Sequence, residues 1–137
     1  MARPRTKISG TLTALPILLS PDSGTGDCVF NVDPKYGMTT GHIVLFKRTR
    51  TVHVTMQIQV AGYRFDHHNP IVVSDTLANK GVTGHTPANF TNITLSMGDM
   101  QLDFDIDNSG HKHFYYTLNF LDPLNQAFSV DPIIVNN

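Results

Sequence analysis

Histidines, aspartates and one cysteine carry the side-chain chemistry that this sequence of 137 residues offers most plainly. The sharpest spacing is that of His111 and His113, two positions apart, which on a β-strand sets both imidazoles on one face, where their ring nitrogens can ligate copper, zinc or nickel. Such a site needs further donors, and the adjacent pair His67 and His68, in a turn-forming stretch, can supply them. The expected metal ligands are therefore His111 and His113 with His67 or His68. Against this stands the plainer reading that the exposed strand faces here are rich in Thr, Gln and His in any case. Asp103, Asp105 and Asp107 invite comparison with a calcium loop, but the sixth and twelfth positions of an EF-hand fall on Asn108 and Phe114 instead of Gly and Glu. Their period of two marks them as the wet face of a strand, where like charges discourage edge-to-edge pairing. Cys28 sits in the short apolar run Cys28-Val29-Phe30-Asn31-Val32 with no base or partner ligand at family-type spacing, and reads as a small hydrophobe. No nucleophile elbow, phosphate loop or His-Glu-x-x-His motif occurs, so the chain is expected to be neither an enzyme nor a cofactor carrier.

The elements that must hold these residues read almost entirely as strands. Val52, Val54, Met56, Ile58 and Val60 alternate with Thr51, His53, Thr55, Gln57 and Gln59, giving one core face and one wet face. Leu102, Phe104 and Ile106 alternate with the aspartates, and Phe114, Tyr116, Leu118 and Phe120 with His113, Thr117 and Asn119. Ile93, Leu95 and Met97 mark another strand, and Ile8, Leu12 and Ala14 set the apolar parity of a first strand over residues 7–19. Residues 47–50 form a basic corner, and residues 107–110 carry hairpin chemistry. The turn-rich Asp122-Pro123-Leu124-Asn125-Gln126 folds the run Ala127-Phe-Ser-Val-Asp-Pro-Ile-Ile-Val135 back on the aromatic strand as a C-terminal hairpin. Residues 74–88 are a long connection suited to binding, or one that only crosses between sheets. The fold predicted is an all-β antiparallel sandwich, Ig-like or cupredoxin-like, of eight or nine strands in a single domain over residues 1–137.

Composition narrows the function. Charged residues make up 15% of the chain and the net charge is −1, so no basic field exists for nucleic acid. The N-terminal stretch has a basic start, but its apolar run is broken by Thr11, Thr13 and Pro16, so it reads as a strand and not as a signal peptide. No run approaches the ~18 apolar residues that span a bilayer, and a single cysteine excludes an intrachain disulfide. A cytoplasmic protein without membrane or nucleic-acid partners is expected. The sequons at Asn89 and Asn92 bear on the protein only in a secretory pathway.

Two segments carry a family likeness: Gly62-Tyr63-Arg64-Phe65 with Asn69-Pro70-Ile71-Val72-Val73, and Phe114-Tyr115-Tyr116-Thr117-Leu118 with Val130-Asp131-Pro132-Ile133-Ile134-Val135-Asn136. Together these resemble the DP-EP family of small bacterial β-sandwich proteins, whose final strand carries Asp-Pro-x-Ile with Asn close behind. More distantly, the tail is similar to the end of bacterial inclusion-body proteins of the PixA and AidA type. The resemblance implies a sandwich fold and a bacterial origin, and brings no activity or site residues with it. The function expected is binding or self-association, with a homo-oligomer or another protein as partner, through the wet face of residues 51–60 or the loop of residues 74–88.

Overall fold

The computed structural model describes residues 6–8, 14–32, 43–45, 51–76, 78, 82–84, 86–107, 113–131 and 133–136. Among them are twelve strand segments and no α-helix: β1 (Thr6–Ile8), β2 (Ala14–Asp22), β3 (Asp27–Asn31), β4 (Ile43–Leu45), β5 (Thr51–Ile58), β6 (Arg64–Phe65), β7 (Ile71–Ser74), β8 (Phe90–Ser96), β9 (Gln101–Asp107), β10 (His113–Leu121), β11 (Ala127–Val130) and β12 (Ile133–Asn136). Several of these are pieces of longer strands. β6 and β7 pair with the same edge of β10, β11 and β12 pair with the other, and β1 and β2 divide the predicted first strand, so that the twelve segments trace nine strands.

Alternation of apolar and polar residues builds the interior. Val52, Val54 and Met56 of β5, Leu102, Phe104 and Ile106 of β9, and Phe114, Tyr116, Leu118 and Phe120 of β10 are fully buried, as period-two patterning requires. Each such side chain contributes about 1.5–3 kcal/mol relative to exposure. Two mixed sheets enclose this core. One runs in the order β3-β2-β5-β9-β8, and the other centres on β10, with β12, β4 and β1 extending to one side. Phe90 of β8 meets Phe114 of β10 edge-on at 5.1 Å between ring centroids, which ties the two sheets across the core. The result is a β-sandwich, with the C-terminal hairpin in the predicted place: Leu118 pairs with Val130 and Tyr115 with Ile133 in one continuous register. The interruption between β11 and β12 falls at Asp131-Pro132, where proline brings no N–H to the ladder.

Four sequence readings need correction. The first strand does not run unbroken in one sheet, because β1 pairs with β4 whereas β2 pairs with β3 and β5. Its later parity is also reversed: Ala14 is exposed, and Leu15, Ile17 and Leu19 are the buried set. Nor do residues 107–110 close a hairpin between β9 and β10, since those strands lie in different sheets and the segment crosses between them. The third correction concerns β8, where Ile93 is 39% exposed, and its end at Ser96, which leaves Met97, 67% exposed, in the turn that follows. A bulge between Thr91 and Thr94, with Asn92 at φ 58°, inserts one residue and breaks the period of two. Finally, β9 is an interior strand between β5 and β8, so its aspartates cannot be guarding an edge. The connection over residues 74–88 passes from β7 in one sheet to β8 in the other. The basic corner at residues 47–50 lies outside the described residues.

Candidate functional site

The outer face of the five-stranded sheet is set by register. β5 and β9 run antiparallel with Thr51 opposite Asp107, His53 opposite Asp105, Thr55 opposite Asp103 and Gln57 opposite Gln101. On the far side of β9, Thr91, Thr94 and Ser96 of β8 stand opposite Asp105, Asp103 and Gln101. On the near side, Ala14, Pro16 and Leu18 of β2 stand beside His53, Thr55 and Gln57. Beyond them Val29 of β3, paired with Ser20, is 52% exposed. The face therefore carries an apolar patch at Ala14, Pro16, Leu18 and Val29 beside a polar strip on β5, β9 and β8.

Within the polar strip the side chains are fixed by one another. His53 Nδ1 lies 2.6 Å from Asp105 Oδ1, and its Nε2 lies 3.1 Å from Asp103 Oδ1. Thr55 Oγ1 donates to Asp103 Oδ1 at 2.6 Å and Gln101 Nε2 to Asp103 Oδ2 at 3.0 Å. Asn92 Nδ2 donates to Asp105 Oδ2 at 2.7 Å. The bulge explains that last contact. With Asn92 in the left-handed region and its carbonyl accepting from Thr94 Oγ1, its amide is aimed inward across β9. The electrostatics follow from these bonds. The bond to Asp105, against a smaller opposing effect of burial and with help from Asp103, raises the His53 pKa. Burial pushes Asp103 upward, but its bonds to Thr55, Gln101 and His53 together leave it below the usual carboxylate value. Asp105 is lowered by Asn92 and then by His53. The His53 imidazole is thus held between two carboxylates, one at each ring nitrogen.

That geometry does not converge on a metal ion. The two carboxylates lie at opposite nitrogens of the ring, and among the described residues no group of three or more His, Cys, Asp or Glu is placed to hold one. Of the ligands expected from sequence, His67 and His68 are adjacent in the β6–β7 connection with their rings edge-on at 5.6 Å. His67 Nδ1 lies 3.1 and 3.2 Å from the two oxygens of Asp99 in the β8–β9 turn, and the His68 backbone N–H donates to Asp66 Oδ1. His113 opens β10 opposite Val135, and His111 lies outside the described residues. The β6–β7 connection is pinned at the far end of β10, where the Asp66 N–H donates to the Asn119 carbonyl and Asn119 Nδ2 to the Asn69 carbonyl. Six residues of extended strand, about 20 Å, separate Asn119 from His113. One ion cannot be shared by His113 and the His67-His68 pair. Cys28 is partly buried and packs against the core, in keeping with its reading as a small hydrophobe.

The sequence pointed to the wet face of β5 and to the aspartates of β9, but as separate features. It did not join His53 to Asp103 and Asp105, because nothing local pairs β5 with β9. Residue for residue, the shared period of two was the available signal. No helix of the described residues is long and apolar enough to cross a membrane. No protein-family model matches this chain, and no curated protein matches it.

Proposed function

We propose that this chain is a non-enzymatic β-sandwich module that acts by binding or self-association through the outer face of its five-stranded sheet. The observation that carries this reading is the two-part face itself. Side chains already held by His53, Asp103, Asp105, Asn92 and Gln101 lose little conformational freedom when a partner docks, and ordering cost is a main opponent of association. Beside them the exposed Leu18 and Val29 offer apolar area to bury, so an apolar patch is bordered by polar groups of fixed direction. The resemblance to the DP-EP sandwich proteins accords with a module of this kind.

Light scattering after size exclusion, together with capture from a bacterial lysate, tests the reading on wild type, Leu18→Arg and Leu124→Arg. Leu18 lies on the face, and Leu124, 77% exposed, lies in the β10–β11 turn. Association lost with Leu18→Arg and kept with Leu124→Arg is expected. A wild-type protein that is strictly monomeric and captures nothing overturns the proposal.

A further inference from the structure

We propose that His53 is a proton-operated brace of the outer face: as an imidazolium it donates one N–H to Asp105 and the other to Asp103, and on losing a proton it can keep only one of these partners. A neutral imidazole carries a single N–H, and an ionised carboxylate only accepts, so two contacts of 2.6 and 3.1 Å to two carboxylates are both hydrogen bonds only in the doubly protonated ring. Among the described residues no cationic side chain competes for the role. β9 presents Asp103 and Asp105, with Asp107 one pair further along beside Thr51. β2 presents Ala14 and Pro16, β8 presents Thr91, Asn92 and Thr94, and β5 itself presents Thr51 and Thr55, none of which titrates near neutrality.

The two bonds are not equivalent. Asp103 keeps Thr55 and Gln101 as donors when His53 withdraws, whereas Asp105 keeps Asn92. The shorter contact is also the one to Asp105. The neutral ring therefore retains its proton on Nδ1, and Nε2 turns a lone pair toward Asp103 Oδ1, which drives the two apart. The bond given up is the one to Asp103, so deprotonation loosens the side-chain ladder between β5 and β9, while the line from His53 through Asp105 and Asn92 to the bulged strand β8 is kept. This inference concerns contacts within the chain and holds whether or not the face binds a partner.

Two-bond proton–nitrogen spectra of the imidazoles across a pH titration, with amide exchange recorded on the same samples, test it. Both His53 nitrogens should be protonated on the acid side, the proton should leave Nε2 as the pH rises, and the midpoint should lie above that of His53 in the urea-unfolded protein. Protection of the β5 and β9 amides around Thr55 and Asp103 should fall through the same midpoint, beyond the common rise of base catalysis, and this step should vanish in His53→Gln. A midpoint no higher than in the unfolded chain overturns the proposal, as does a β9 step that persists in His53→Gln. The glutamine variant sits at a 47% exposed side chain, and the wild-type titration stands without it.

Discussion

Burial pushes the Cys28 thiol up to about 12, against the pull of a backbone hydrogen bond at Ser20 and with a smaller push from Asp27. Thiolate is the reactive form, so the native thiol should alkylate slowly with iodoacetamide and rapidly once the chain is unfolded in urea, as followed by intact mass. Equal rates would show that the sulfur is open to solvent. His53 makes a second prediction, whose sign is set by linkage. A histidine raised above its ordinary 6.5 stabilises the fold fully below that value and ceases to do so as the pH climbs through its folded value. Aspartates lowered below their ordinary 3.8 act in reverse, and their contribution disappears as the pH falls through their folded values. Melting temperatures of wild type and His53→Gln should therefore differ most between pH about 4 and 6 and converge in alkali and in strong acid. A constant gap across pH would assign His53 a packing role only. The partners of His53 were not legible in the sequence because Asp105 lies 52 positions away and only strand order brings it near.

Strands whose pattern is uninterrupted were read correctly. β5 and β9 keep one parity from end to end, so burial follows period two at Val52 and Phe104, and β10 follows it at Tyr116 while also burying Thr117, 5% exposed, on the other parity. Where backbone geometry intervenes, the pattern misleads: the bulge at Asn92 makes Ile93 an outward residue, and β2 lies in a different sheet from β1 and buries the odd positions Leu15, Ile17 and Leu19. The β8–β9 turn stores a related cost. Met97, Gly98 and Asp99 all have positive φ, at 57°, 66° and 64°. Glycine tolerates this region freely, whereas a residue with a Cβ does so at roughly 1–2 kcal/mol, and Met97 is 67% exposed with little packing to lose. Met97→Gly should stabilise the protein by up to about 1 kcal/mol after the entropy of the freer unfolded chain is deducted. Urea denaturation measures this, and destabilisation would reveal a contact made by the methionine side chain.

Stability of the whole molecule depends on the layer between the sheets. Phe114 is fully buried and meets Phe90 from the opposite sheet, so Phe114→Ala should cost about 3–5 kcal/mol, a large part of the 5–15 kcal/mol typical of a domain. A shift of the urea midpoint smaller than that of a surface substitution would contradict the packing. The central place of β10 also bears on the order in which the protein is made. By the time residue 107 is synthesised every strand of the five-stranded sheet exists, yet β6 and β7, whose ladders run along β10, have no partner until residues 113–121 follow. At roughly 5–20 residues per second the apolar side formed by Leu15, Val54 and Phe104 waits seconds for its cover. Stalled chains ending at residue 112 and carried clear of the exit tunnel by a linker should therefore recruit a chaperone selective for exposed apolar surface, and chains extended past residue 136 ahead of the same linker should shed it.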